Sequence, residues 1–135
     1  NVTVEKRSWI MSRVRGKDSK PEMILRSLLH RSGYRFRLHR KDLPGKPDLA
    51  LPKYKTVIFV HGCFWHKHRS CKKATMPQNN QAFWKTKFLR NAERDLRNNR
   101  LLRRRGWQVV VIWECEIKRN PEKVLVRLQR KLANT

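Results

Sequence analysis

Cys63, His68 and Cys71 stand close together in a polar stretch, and the one other cysteine, Cys115, lies just past a run that reads as a strand. Thiolates and an imidazole at the spacing Cys-x4-His-x2-Cys are zinc ligands. Four such groups close a tetrahedral ion and leave no position for a reacting water, so this Cys3His site would be structural, pinning a long loop to a sheet. His66 is a rival to His68 that spacing alone leaves open, and ordinary buried thiols are the plainer alternative.

Asp48 is the best placed acid. It follows Pro44-Gly45-Lys46-Pro47 and opens a short strand beside the apolar run that ends at His61. Carboxylate oxygens are natural ligands for Mg²⁺, the kind of hard cation that phosphodiester hydrolysis uses to polarise a phosphate. Aspartate is just as common in Pro-Gly turns for local hydrogen bonding, and the motif by itself weighs evenly. Glu22 also fits the third helical position of a capping box, and Asp95 could pair with Arg94 or Arg97 on a solvated helix face. His61 and His66 flank the cysteine-rich loop, where an imidazole could activate water, protonate a leaving group or merely support a metal site. Phe64-Trp65 and Trp84 are aromatics in basic surroundings, able to wedge between bases. Trp107 and Trp113 read instead as core packing within a strand.

The charge names the class of partner. In 135 residues, 34 Lys+Arg face 10 Asp+Glu, a formal net charge of +24. Self-repulsion at that density is eased beside phosphates, where each neutralised phosphate releases counterions. Leu, Ile, Val and Phe make up about a quarter of the chain, above the level at which highly charged chains stay disordered, so a folded domain is expected. The length suits one hydrophobic core. No apolar run is long enough for a membrane helix, and three cysteines cannot all pair, so a soluble, cytoplasmic protein is expected.

Residues 1–18 have little to bury and read as an arm, with a single domain over 19–135. Ser19-Lys20-Pro21-Glu22 caps a helix carrying Ile24, Leu25, Leu28 and Leu29 and stopping at Gly33. Alternation over 34–38 predicts a half-buried strand, a second short strand follows from Pro47, and 56–60 is apolar throughout, as in a strand buried on both faces. A long helix over 81–105 carries Trp84, Phe88, Ala92 and Leu96 on one stripe; Gly106 ends it, a strand spans 107–113, and Asn120-Pro121 caps a last helix. This order implies an α/β fold, a mixed sheet with helices on its faces.

The strings Pro44-Gly45-Lys46-Pro47-Asp48, Val60-His61-Gly62-Cys63-Phe64-Trp65-His66, Phe83-Trp84, Asn91-Ala92-Glu93-Arg94-Asp95 and Trp113-Glu114-Cys115 together resemble the very short patch repair (Vsr) DNA mismatch endonucleases. The resemblance runs from about Arg7 to Ile117. It implies a restriction-endonuclease-like core and a Mg²⁺-dependent nick 5′ to the thymine of a T:G mismatch left by deamination of 5-methylcytosine. Carried over residue by residue, Asp48 and the backbone carbonyl of Val60 would bind Mg²⁺ and Glu22 would hold a water of its shell. His66 would be the general base, His61 would act at the scissile phosphate, and Asp95 would orient a histidine. Cys63, His68, Cys71 and Cys115 would hold structural Zn²⁺. Phe64, Trp65 and Trp84 would insert beside the mismatch, and the arm around Met11, Arg13, Arg15 and Lys17 would clamp the opposite groove.

Expected partners are double-stranded DNA with a T:G mismatch and the mismatch-repair proteins, the chain acting as a monomer near the nucleoid. Three features depart from the family pattern: Val60 where threonine is usual, one extra residue between His68 and Cys71, and Trp9-Ile10 in the arm. Two other readings fit the same residues. One is a zinc-stapled DNA-binding module without catalysis, and the other is a nicking or restriction nuclease of this fold that acts on matched DNA.

Overall fold

The computed structural model describes residues 19–62 and 80–133. Helix α1, Lys20–Arg31, starts where the sequence predicts: the Ser19 side chain accepts from the Glu22 N–H, and Pro21 sits in the first turn, where a missing N–H costs nothing. Then come β1 (Arg37–Leu38), β2 (Leu49–Leu51), one 3-10 turn (Pro52–Tyr54) and β3 (Thr56–His61). They are followed by α2 (Gln81–Arg104), β4 (Gln108–Trp113), α3 (Glu114–Arg119) and α4 (Pro121–Ala133). The four strands form one mixed sheet in the order β1-β2-β3-β4, antiparallel up to β3 and parallel between β3 and β4.

Alternation of side chains divides the core in two. Leu49, Leu51, Ile58, Val110 and Ile112 face Leu25 and Leu29 of α1, Ile117 of α3, and Val124, Leu128 and Leu132 of α4. Ala50, Val57 and Phe59 face the other way and pack with Leu43, Trp107 and Leu102 of α2. Because both faces of β3 are covered, its continuous apolar run is explained. Ile58 is fully buried; replacing it by alanine is expected to cost about 2–5 kcal/mol, seen as a lower urea midpoint at unchanged slope.

Three elements differ from the sequence expectation. First, β1 is a two-residue edge strand with both side chains exposed. The three-residue β2 offers it only the pairs Arg37↔Ala50 and Leu38↔Leu49, and His39 then leaves extended geometry with φ 46°. Tyr34 and Phe36 still reach the core as half-buried side chains.

Second, the inward stripe of α2 is not the predicted one: Ala92 is exposed and Leu96 is 63% exposed. Steps of four residues drift about 40° each around a 3.6-residue helix. Alternating steps of four and three stay on one side, through Trp84, Phe88, Asn91, Asp95, Asn98 and Leu102, all buried or half-buried.

Third, α3 was not foreseen. It is a six-residue helix whose Glu116 carboxylate accepts from the Trp113 N–H at 2.9 Å and from Arg127 of α4 at 2.9 Å. Asn120 caps α4 as predicted, accepting from the Lys123 N–H at 3.1 Å. Among the described residues, no helix is long and apolar enough to cross a membrane.

Candidate active site

The strand directions bring several chain ends to one edge of the sheet. β1, β3 and β4 finish there and β2 begins there, because β2 alone runs against its neighbours. Asp48, one residue before β2, and His61, the last residue of β3, continue the alternation that carries Ala50, Val57 and Phe59 toward α2. The first turn of α1 brings Glu22 to the same place. Together with His39, Asp95 and Glu114 these groups line a cavity of about 630 Å³, whose rim also holds Lys41, Lys46 and Arg94.

Within it Glu22, His39 and Asp48 each offer a ligand atom, all within 4.8 Å of one another. Glu22 is 3% exposed, and its Oε2 accepts from Arg26 Nη2 one helical turn on. Asp48 Oδ2 accepts from the Val60 N–H at 2.6 Å. The N–H and C=O of one strand residue leave the same edge, so the Val60 carbonyl also points to the Asp48 side. The two acids and the main-chain carbonyl make an oxygen donor set suited to a hard divalent cation. The valine side chain at position 60 leaves that carbonyl available.

Aromatic rings frame His61, which is 8% exposed. Phe59 lies 5.9 Å away at 56° and Trp113 lies 5.2 Å away edge-on. Trp113 is thus half-buried beside the site and is not a core side chain as predicted. Trp84 departs from expectation in the opposite sense: it is 1% exposed, stacked on Phe88 at 6.1 Å and met edge-on by Phe83 at 5.2 Å. As packed here it belongs to the interior, and a place between bases would require it to swing out. Phe83 is the exposed ring of this group. Lys87 Nζ sits 5.5 Å from the Trp84 ring, and burial pushes its ammonium pKa down.

The turn that delivers Asp48 depends on Gly45. Its φ is +76°, and a Cβ there would meet Asn98 Cβ at 3.1 Å and Phe59 Cε1 at 3.2 Å. Gly45→Ala is expected to cost about 1–2 kcal/mol from the left-handed backbone alone and to push the turn away from α2. Thermal melting reads the first effect, and divalent-cation binding at the Glu22–Asp48 cluster, which should weaken, reads the second.

Of the residues singled out from sequence, Glu22, Asp48, Val60, His61 and Asp95 converge on this cavity. Cys115 is half-buried in α3, directly after β4. Met11, Arg13, Arg15, Lys17, Cys63, Phe64, Trp65, His66, His68 and Cys71 lie outside the described residues. Sequence reasoning missed His39, Lys41, Lys46, Arg94, Asn98 and Glu114. Lys46, Arg94 and Glu114 stand inside quoted strings, a signal that could have found them; His39 follows the predicted strand over 34–38 and belongs to none of these strings.

Comparison with known proteins identifies the family. The family model described as DNA mismatch endonuclease Vsr matches residues 1–73. The chain is 49% identical over 116 residues to the type II nicking enzyme V.XorIIP of Xanthomonas oryzae pv. oryzae, covering 86% of this chain and 85% of that one. It is 47% identical over 116 residues to the type II nicking enzyme V.NmeAIP of Neisseria meningitidis, covering 86% and 82%. It is 40% identical over 112 residues to the DNA mismatch endonuclease Vsr of Escherichia coli, covering 83% and 71%. With its acidic site on a mixed sheet and its similarity spanning most of each relative, the chain belongs to the Vsr family of DNA mismatch endonucleases.

Proposed function

We propose that the chain nicks one DNA strand 5′ to the thymine of a T:G mismatch in a Mg²⁺-dependent reaction. The observation that carries this reading is the convergence of Glu22, Asp48 and His61 with His39 and Asp95 around one open cavity with a basic rim. Asp48 and the Val60 carbonyl would hold the cation, which supplies Lewis-acid polarisation of the phosphate and stabilises the leaving oxygen. Glu22 would hold a water of the cation's shell, and His66 would act as the general base. His61, steadied by Phe59 and Trp113, addresses the scissile phosphate. Asp95, on the inward side of α2, orients a histidine. Lys41, Lys46 and Arg94 suit the neighbouring phosphates.

Cys63, His68, Cys71 and Cys115 form the proposed zinc staple, supported by their spacing and by the place of Cys115 in the first turn of α3, just past β4. Phe64 and Trp65, with Trp84 if it leaves its packing, would wedge beside the mismatch, and residues 1–18 would clamp the far groove. Unstacking costs least at an already weakened pair, a physical route to mismatch selectivity. A clamp and a domain over 19–135 that act together as a monomer complete the proposal. Mismatch-repair proteins are its further proposed partners.

End-labelled duplexes carrying T:G, T:A and C:G at one position, incubated with Mg²⁺ and with chelator in several flanking contexts, test it. A Mg²⁺-dependent nick 5′ to the mismatched thymine alone is expected. Equal cutting of matched DNA would replace the mismatch reading with a nuclease of matched sites. Binding with no cutting in any context would leave a DNA-binding module.

A further inference from the structure

His39 has no part in the chemistry argued above, yet it stands between the two acids. Its Nε2 lies 3.0 Å from Arg26 Nη2, the same nitrogen that donates to Glu22 Oε2. A guanidinium only donates, and Nη2 carries two hydrogens, one for each acceptor. The 3.4 Å between Glu22 Oε2 and His39 Nε2 is the third side of that triangle. A contact in which Nε2 accepts from Arg26 corresponds to the tautomer that carries its proton on Nδ1. Nδ1 in turn faces Asp48 Oδ1 at 4.0 Å, while the other oxygen of Asp48 is held by the Val60 N–H at 2.6 Å. The main chains are joined as well: the His39 N–H donates to the Asp48 carbonyl at 3.1 Å, extending the β1–β2 ladder by one pair.

We propose that His39 is a positioning residue for Asp48. Arg26 fixes the tautomer, the Nδ1–H dipole faces one carboxylate oxygen, the Val60 N–H holds the other, and the plane of the carboxylate is set before a cation arrives. This rests on the reading of Asp48 as a cation ligand. The ring itself is poorly placed to ligate through Nδ1. That would move its proton to Nε2, against the N–H of Arg26. Partners that orient a metal ligand typically contribute 10–100-fold to metal affinity.

The test compares Mn²⁺ binding, followed by the electron paramagnetic resonance signal of the free ion, in the unmodified chain and in His39→Ala, His39→Gln and Asp48→Asn, with DNA affinity and melting measured alongside. Glutamine supplies an acceptor for Arg26 and a donor for Asp48; alanine supplies neither. His39→Ala is expected to bind Mn²⁺ about 10–100-fold more weakly, with His39→Gln close to the unmodified chain and DNA affinity unchanged in both. Unchanged Mn²⁺ binding in His39→Ala overturns the proposal, as does a glutamine variant as weak as the alanine one, which would make the ring a direct ligand. Full Mn²⁺ binding by Asp48→Asn would remove the reading of Asp48 and the positioning role with it. A readout on the unmodified chain needs no variant to keep its affinity. The ¹⁵N resonances of His39, assigned by their loss in His39→Gln, should show a pyridine-like Nε2 and a pyrrole-like Nδ1, and the reverse pattern overturns the assignment.

Discussion

Asp48→Ala is expected to lower nicking roughly a thousand-fold or more, since losing the proposed cation ligand would forfeit several kcal/mol of transition-state stabilisation and each 1.4 kcal/mol is a factor of ten. DNA affinity should hold or rise slightly, because the substitution removes a negative charge from the cavity proposed to receive phosphate. Asp48→Asn is the companion variant: its amide oxygen can still accept from the Val60 N–H, so the end of β3 keeps the bond seen at 2.6 Å. Gel-shift titrations in chelator beside single-turnover nicking in Mg²⁺ separate the two quantities. If affinity falls in step with nicking in both variants, Asp48 shapes the site and does not hold its cation.

The second large effect is on affinity. At a net charge of +24, and with Arg90, Arg94, Arg97, Arg100, Arg103 and Arg104 all exposed along α2, DNA binding should be dominated by counterion release. If about 6–10 phosphates are contacted, raising salt from about 50 to 200 mM should weaken binding about 10³–10⁵-fold, with a steep linear slope of log affinity against log salt. Matched and mismatched duplexes should share that slope and differ by a constant offset, because the mismatch contributes through unstacking and not through phosphate contacts. A flat salt dependence would place the arginines of α2 away from DNA.

Much of this molecule was legible locally. The Ser19 cap, the doubly covered β3, the Gly106 stop and the Asn120 cap depend on neighbours within a few residues, and all stand where expected. What escaped depends on distant chain. The length of β1 is set by its partner β2, the stripe of α2 by whatever lies opposite each turn, and α3 by a contact between Glu116 and an arginine of the next helix. The site divides the same way. Asp48, His61 and Glu22 belong to recognisable strings, whereas His39 matters because Arg26 and Asp48, from separate elements, close on it in space. Periodicity reports burial and carries no information about which polar groups meet.

The inward stripe of α2 is greasy at its ends and amidic or acidic in the middle, where Asn91, Asp95 and Asn98 replace the leucines that an ideal packing helix would carry. Such a helix trades cohesion for an opening. Its apolar residues sit at the two ends, Trp84 and Phe88 at one and Leu102, packed on the sheet, at the other, and the polar span between them lines the candidate cleft through Asp95 and Asn98. Evolution toward greater thermal robustness would be drawn to fill that span with hydrocarbon and would extinguish the enzyme as it did so. The margin of stability given up along about two helical turns is thus the condition under which, on the proposed reading, a substrate strand can enter at all.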